Sequence, residues 1–125
     1  MSQSIRVLIV DDSARTRDGL RALLDTRSDI ELVGEATNDR DAIRLIEERH
    51  PAIVIMDLEM PLMNGIGVTH LIKQRWPSVN LIVVTSSTAK SSAALAAGAD
   101  AFMIKGDAPS WLLDALRVTS AADGR

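Results

Sequence analysis

The chain has 125 residues, 46% apolar and 25% charged, which is enough for one packed core and argues against a disordered chain. Its net charge of −3, with no block of like charge, offers no footprint for nucleic acid or an anionic membrane, and the absence of cysteine excludes disulfides, a thiol nucleophile and cysteine-held zinc or iron–sulfur. No run approaches the roughly 20 apolar residues of a membrane span, and the N-terminus lacks a signal-peptide pattern, so a soluble cytoplasmic protein is expected.

The first apolar run, Ile5-Arg6-Val7-Leu8-Ile9-Val10, ends at Asp11 and Asp12. Ser13 suits an N-cap, and Leu20, Leu23, Leu24 and Arg27 then share one face of a helix of about three to four turns. Ile30–Ala36 mostly alternates, as a less completely covered strand does. Asn38 can cap a second helix with Ala42, Ile43 and Ile46 inward, and Pro51 stops it. Ala52–Met56 is solidly apolar and runs into Asp57. Asn64 and Gly65 open a third helix with Val68, Leu71, Ile72 and Arg75 on one side, ending near Pro77. Leu81–Val84 is apolar throughout and leads to Thr85. Thr88 opens a short alanine-rich helix, with Gly98 where a C-cap glycine belongs. Ala101–Ile104 is a short strand followed by Lys105. Asp107 and Pro109 suit the start of a last helix, with Leu112, Ala115, Leu116 and Thr119 inward.

Five repetitions of strand then helix predict an α/β fold, a doubly wound five-stranded parallel sheet with five helices on its two faces. The first, third and fourth runs are continuously apolar, as interior strands are, whereas the second alternates and the fifth is short, as edge strands often are. The order 2-1-3-4-5 accommodates this with right-handed crossovers. It sets strands one and three side by side, so Asp11, Asp12 and Asp57 meet outside the carboxyl ends, where such sheets place their ligands. Thr85 and Lys105 end the next two strands. Taken singly, each residue has a plainer reading: a helix start for Asp11-Asp12, a loop cap for Asp57, β-structure for Thr85 and a solvated side chain for Lys105. Their coincidence at four strand ends points to one site.

Three carboxylates in one crevice repel, and without a cation at least one carries a raised pKa. Carboxylate oxygens with no histidine or cysteine nearby favour a hard divalent ion, magnesium first and manganese as a second candidate. Lys105 can hold a phosphoryl oxygen as a point charge, and the Thr85 hydroxyl can donate to another. Such a site is suited to phosphoryl transfer onto a carboxylate, with Asp57 the candidate nucleophile.

The segment Asp57-Leu58-Glu59-Met60-Pro61-Leu62-Met63-Asn64-Gly65 resembles the phosphoacceptor segment of two-component response-regulator receiver domains, which carry aspartate, two variable residues, Met-Pro, then Met and Gly at this spacing. The acidic pair, Thr85-Ser86 and Lys105 match the family's other motifs in order. The resemblance runs from about Ile5 to about Thr119 and implies one flavodoxin-like receiver domain over residues 1–125, with a core of about 5–119 and a short C-terminal tail. Asp29–Ala36 looks more particularly like the branch whose members often carry a helix-turn-helix output domain.

The resemblance implies that Asp57 takes a phosphoryl group from a sensor histidine kinase or phosphotransfer protein. Asp12, Asp57 and the backbone carbonyl of Glu59 would bind magnesium directly, and Asp11 through a water. Lys105, Thr85 and the backbone N–H groups of Leu58 and Ser86 would hold the phosphoryl oxygens. Thr85 and Phe102 would act as the switch, reshaping the face of the fourth helix, fifth strand and fifth helix for an output domain or partner protein, with a homodimer on phosphorylation as one outcome. The domain itself would bind neither membrane nor nucleic acid, and its only activity would be self-catalysed phosphotransfer and dephosphorylation in the service of transcription regulation. Two other readings are a receiver-like module that works without phosphorylation and an aspartyl-phosphate phosphatase. The chain departs from the family pattern at Gly106, where many members have proline, and Phe102 has no hydroxyl. Glu59 adds an acid beside the acceptor that can pair with Lys105 or crowd the phosphoryl group. His50 and His70 read as surface residues, and Trp76 and Trp111 as helix-end residues.

Overall fold

The structure is a computed structural model, which describes residues 4–106. β1 (Ile5–Val10), β2 (Ile30–Ala36), β3 (Ile53–Asp57), β4 (Asn80–Thr85) and β5 (Ala101–Ile104) form one parallel sheet in the order β2-β1-β3-β4-β5. Between them run α1 (Ala14–Leu24), α2 (Asp39–Arg49), α3 (Gly65–Arg75) and α4 (Thr88–Ala96). The fold is flavodoxin-like, with four helices among the described residues rather than the five expected; the segment from Asp107 expected to form a fifth, Trp111 included, lies outside them.

Successive strand residues face opposite sides, and both sides are covered. Leu8, Val10, Val54, Met56, Leu81 and Val83 pack with Ala42, Leu45 and Ile46 of α2, Ile72 of α3 and Ala94 of α4. Val7, Ile9, Ile53, Ile55, Ile82 and Val84 form the other layer with Leu24 of α1. β3 is buried along its whole length, whereas β2 alternates and β5 is half-buried throughout, as expected for the edges. Val10 of β1 pairs with Ala36 on one side and Met56 on the other. This register sets the ends of β1 and β3 beside each other. A register shift between Val7 and Leu8 leaves Val33 as the extra residue of a bulge in β2.

Each helix starts at a side-chain cap. Ser13 accepts from the Thr16 N–H, Asn38 from Asp41, Asn64 from Gly67 and Ser87 from Lys90, at 2.8–3.2 Å. Such a cap contributes about 0.5–2 kcal/mol. At the other ends, His50 closes α2 in the left-handed conformation (φ 50) ahead of Pro51, and Gly98 follows α4 at φ 116. A Cβ on Gly98 would stand 3.2 Å from the Lys73 Cβ. Lys73 itself ties α3 to the sheet, donating to Asp100 Oδ2 at 2.8 Å and to the carbonyl of Val79.

The inward faces differ in detail from the expected ones. α1 ends at Leu24, so Arg27 lies beyond it and pairs with Asp29. In α2, Leu45 is buried where Ile43 was expected. In α3, Thr69 is buried in place of Leu71, which is exposed. Thr69 tolerates burial because its hydroxyl donates to the Gly65 carbonyl at 2.8 Å within the same helix. His50 and His70 are exposed, and Trp76 packs against the core with the Arg75 guanidinium 4.5 Å from its ring centroid. No described helix is long and apolar enough to cross a membrane.

Candidate functional site

The three acids meet. Asp11 follows β1 and is buried, Asp12 beside it is exposed, and Asp57 is the buried last residue of β3. Their carboxylate oxygens lie within 4.8 Å of one another. Asp11 Oδ1 accepts the Ser13 N–H at 2.9 Å, so the turn into α1 fixes its direction. Burial, joined by the charges of Asp57 and Asp12, pushes the Asp11 carboxyl above its ordinary range, against the pull of the Ser13 N–H and Lys105. The cluster is made of carboxylates alone, a donor set suited to a hard divalent cation, which would relieve the repulsion.

Lys105 reaches Asp57. Its backbone N–H donates to the Thr85 carbonyl at 2.9 Å, which holds the end of β5 against β4. Its Nζ stands 3.2 Å from Asp57 Oδ1 and 3.1 Å from Glu59 Oε1. Burial works against its charge, but the bonds to Glu59 and Asp57 win and raise its pKa. Thr85 is fully buried; its hydroxyl accepts the Ser87 N–H at 3.1 Å and donates to Glu59 Oε2 at 3.2 Å. The Leu58 N–H, expected at the phosphoryl site, instead donates to the Val84 carbonyl at 2.9 Å as part of the sheet. The amide that reaches Asp57 is that of Glu59, which donates to its Oδ1 at 2.8 Å.

Glu59 is more deeply engaged than a pairing with Lys105. Its carboxylate also accepts the Ser86 N–H at 3.2 Å and the Ser86 hydroxyl at 2.7 Å, and Lys90 Nζ lies 3.7 Å away. The Ser86 hydroxyl above all, then Lys105, holds the Glu59 carboxyl down to about 2. Neither the Ser86 hydroxyl nor Lys90 stood out in the sequence. Ser87 is the cap of α4, which sets Lys90 in the first helical turn facing this loop; the cap motif was the available signal.

Phe102 is half-buried, pairs with Val83 in the sheet and packs against the core layer under α2, α3 and α4. Gly106 turns at φ 95 with open space where a Cβ would stand, a conformation that suits glycine over proline. A groove lined by Thr16, Val84, Met103 and Gly106 opens onto Asp11 and Lys105.

The model of the response regulator receiver domain matches residues 7–117. The chain belongs to this family. It is 40% identical over 116 residues to an uncharacterized transcriptional regulatory protein, YhcZ, of Bacillus subtilis, in an alignment that covers 91% of this chain and 54% of the relative. Among solved structures it is similar to a LuxR-family two-component response regulator from Aurantimonas sp. SI85-9A1, with TM-score 0.89 and 32% identity over 96% of this chain and 87% of that one. It also resembles the isolated receiver domain of RcsB from Salmonella enterica serovar Typhimurium in the presence of phosphomimetic BeF3−, with TM-score 0.87 and 28% identity over 95% of this chain and 90% of that one. The chain spans about half the length of the curated relatives it matches. The protein is thus a receiver domain of the two-component type, homologous to those of LuxR-type regulators, with the acid cluster of Asp11, Asp12 and Asp57 in its site.

Proposed function

We propose that this receiver domain takes a phosphoryl group onto Asp57 from a sensor histidine kinase or phosphotransfer protein, and passes the change to an output domain or partner protein. The observation that carries the reading is Lys105 Nζ set 3.2 Å from the Asp57 carboxylate, beside two further acids. An Asp57 oxygen attacks the phosphorus, the bond from phosphorus to the donor nitrogen breaks, and the electron pair stays on that nitrogen. Lys105, the Thr85 hydroxyl and the amides of Glu59 and Ser86 take the charge on the phosphoryl oxygens. Asp12, Asp57 and the Glu59 carbonyl would hold magnesium, with Asp11 acting through a water. When bound, that ion offsets charge on the carboxylates and the incoming phosphoryl oxygens. The groove beside Asp11 and Lys105 gives the donor its approach.

With its new charge of about −1.5 to −2, the phosphorylated site draws the Thr85 hydroxyl toward it, and Phe102 follows into the freed space. The face of α4 and β5 is then altered for the partner. The half-length match to a transcriptional regulatory protein supports a DNA-binding output module. Incubation with acetyl phosphate and magnesium tests the reading by intact mass: the expected result is a gain of one phosphoryl group. No gain would support a phosphorylation-independent module, and sustained turnover of a generic phosphate monoester would support a phosphatase.

A further inference from the structure

The carboxylate of Glu59 already sits on the groups assigned above to the phosphoryl oxygens. Oε1 takes the Lys105 ammonium at 3.1 Å and the Ser86 N–H at 3.2 Å; Oε2 takes the Thr85 hydroxyl at 3.2 Å. A carboxylate and a phosphoryl group ask the same thing of these donors, charge-assisted hydrogen bonds to anionic oxygens. They cannot both be served, because Thr85 has one hydroxyl proton and Ser86 one N–H. Two further contacts hold Glu59 in place without being assigned to the phosphoryl group: the Ser86 hydroxyl at 2.7 Å and Lys90 Nζ at 3.7 Å.

We propose that Glu59 is a displaceable internal anion, which occupies the phosphoryl-binding groups of the unphosphorylated domain and is expelled when Asp57 is phosphorylated. The proposal rests on the phosphoacceptor reading. Expulsion has a structural consequence at the start of α4. The Thr85 hydroxyl holds Glu59 and also accepts the Ser87 N–H, and Ser87 in turn caps Lys90. Turning the hydroxyl toward a phosphoryl oxygen therefore loosens the loop through Ser87, while loss of Glu59 releases the Lys90 ammonium. Glu59 thus has two effects: it raises the threshold for phosphoryl binding and links occupancy of Asp57 to the first turn of α4.

Wild type, Glu59→Gln and Ser86→Ala are titrated with beryllofluoride, a phosphoryl mimic, at saturating magnesium, with magnesium affinity measured separately for each. The Ser86 and Lys90 amides are followed by NMR. Glu59→Gln is expected to bind beryllofluoride about tenfold tighter, the scale of one charged hydrogen-bonded partner. Ser86→Ala should shift in the same direction by less, since among the described residues its hydroxyl bonds to Glu59 alone. The Lys90 amide should move on binding in the wild type and move less in Glu59→Gln. Equal or weaker binding by both variants at unchanged magnesium affinity would overturn the proposal. Tighter binding by Glu59→Gln alone would reduce the effect to charge repulsion and also overturn it. Failure of all three proteins to bind would overturn the phosphoacceptor reading, and the displaceable-anion role of Glu59 with it.

Discussion

Asp11 and Glu59 stand close to the same lysine, and their carboxyls are shifted in opposite directions. The Asp11 carboxyl is raised above 3.8 by burial and by its acidic neighbours, so the folded state binds its proton more tightly than the unfolded chain does. Stability from this group therefore falls as pH rises from 3.8 through the raised folded value, and stays lower above it. Asp11→Asn keeps an oxygen for the Ser13 N–H and removes the charge. Without metal it should be more stable at neutral pH, because the raised Asp11 carboxyl is charged there at a cost to the fold. The advantage should fade in acid and on adding magnesium, as read by urea unfolding. Glu59 behaves in reverse, held from 4.5 down to about 2. Its contribution is present above pH 4.5 and is lost as pH falls from 4.5 toward about 2. Glu59→Gln should flatten the acid limb of the stability curve across that window; an unchanged acid limb would show that the Ser86 and Lys105 contacts do not hold in solution.

At the scale of the element, the loop from Asp57 to α3 carries the tightest constraints. A Cβ on Gly65 would lie 2.7 Å from the Leu58 carbonyl oxygen, which is backbone and cannot swing aside. Gly65→Ala should cost about 1–3 kcal/mol, as overpacking does, and should slow phosphoryl uptake by shifting the loop behind Asp57. Leu62, in the same loop, adopts φ 63 with its side chain fully exposed. The left-handed conformation costs such a residue roughly 1–2 kcal/mol, and glycine gives back about 0.4–1 kcal/mol through the unfolded chain. Leu62→Gly should therefore leave stability unchanged or raise it by up to about 1.6 kcal/mol, seen as a higher urea midpoint at constant slope. The strands and their ends were legible in the sequence because continuous apolar runs stop at charged or hydroxyl residues. The inner face of α3 was not, because Thr69 enters the core by bonding to its own helix, which its polarity hides. The hold of Ser86 and Lys90 on Glu59 was equally hidden, since it joins positions 27 or more residues apart through side chains that no spacing rule relates.

Across the whole molecule, the parallel order converts separate strand ends into one site. β1 and β3 are neighbours, β4 follows β3 and β5 follows β4, so the acids, the hydroxyl and the amine come together in space though they span the sequence from Asp11 to Lys105. Three buried or crowded acids are costly in a fold whose net stability is roughly 5–15 kcal/mol, which is consistent with a site kept for chemistry and not for stability. The same arrangement singles out Asp57 as the proposed acceptor: it lies beside the acidic pair and Lys105, and the Glu59 amide already points at its oxygen. The most direct test locates the phosphoryl group. Wild type and Asp57→Asn are treated with acetyl phosphate and magnesium, reduced with borohydride to convert aspartyl phosphate to homoserine, and mapped by tandem mass spectrometry. The account predicts homoserine at position 57 of the wild type, none when magnesium is withheld and none in the variant; homoserine at another aspartate, or its absence from the wild type, would contradict it.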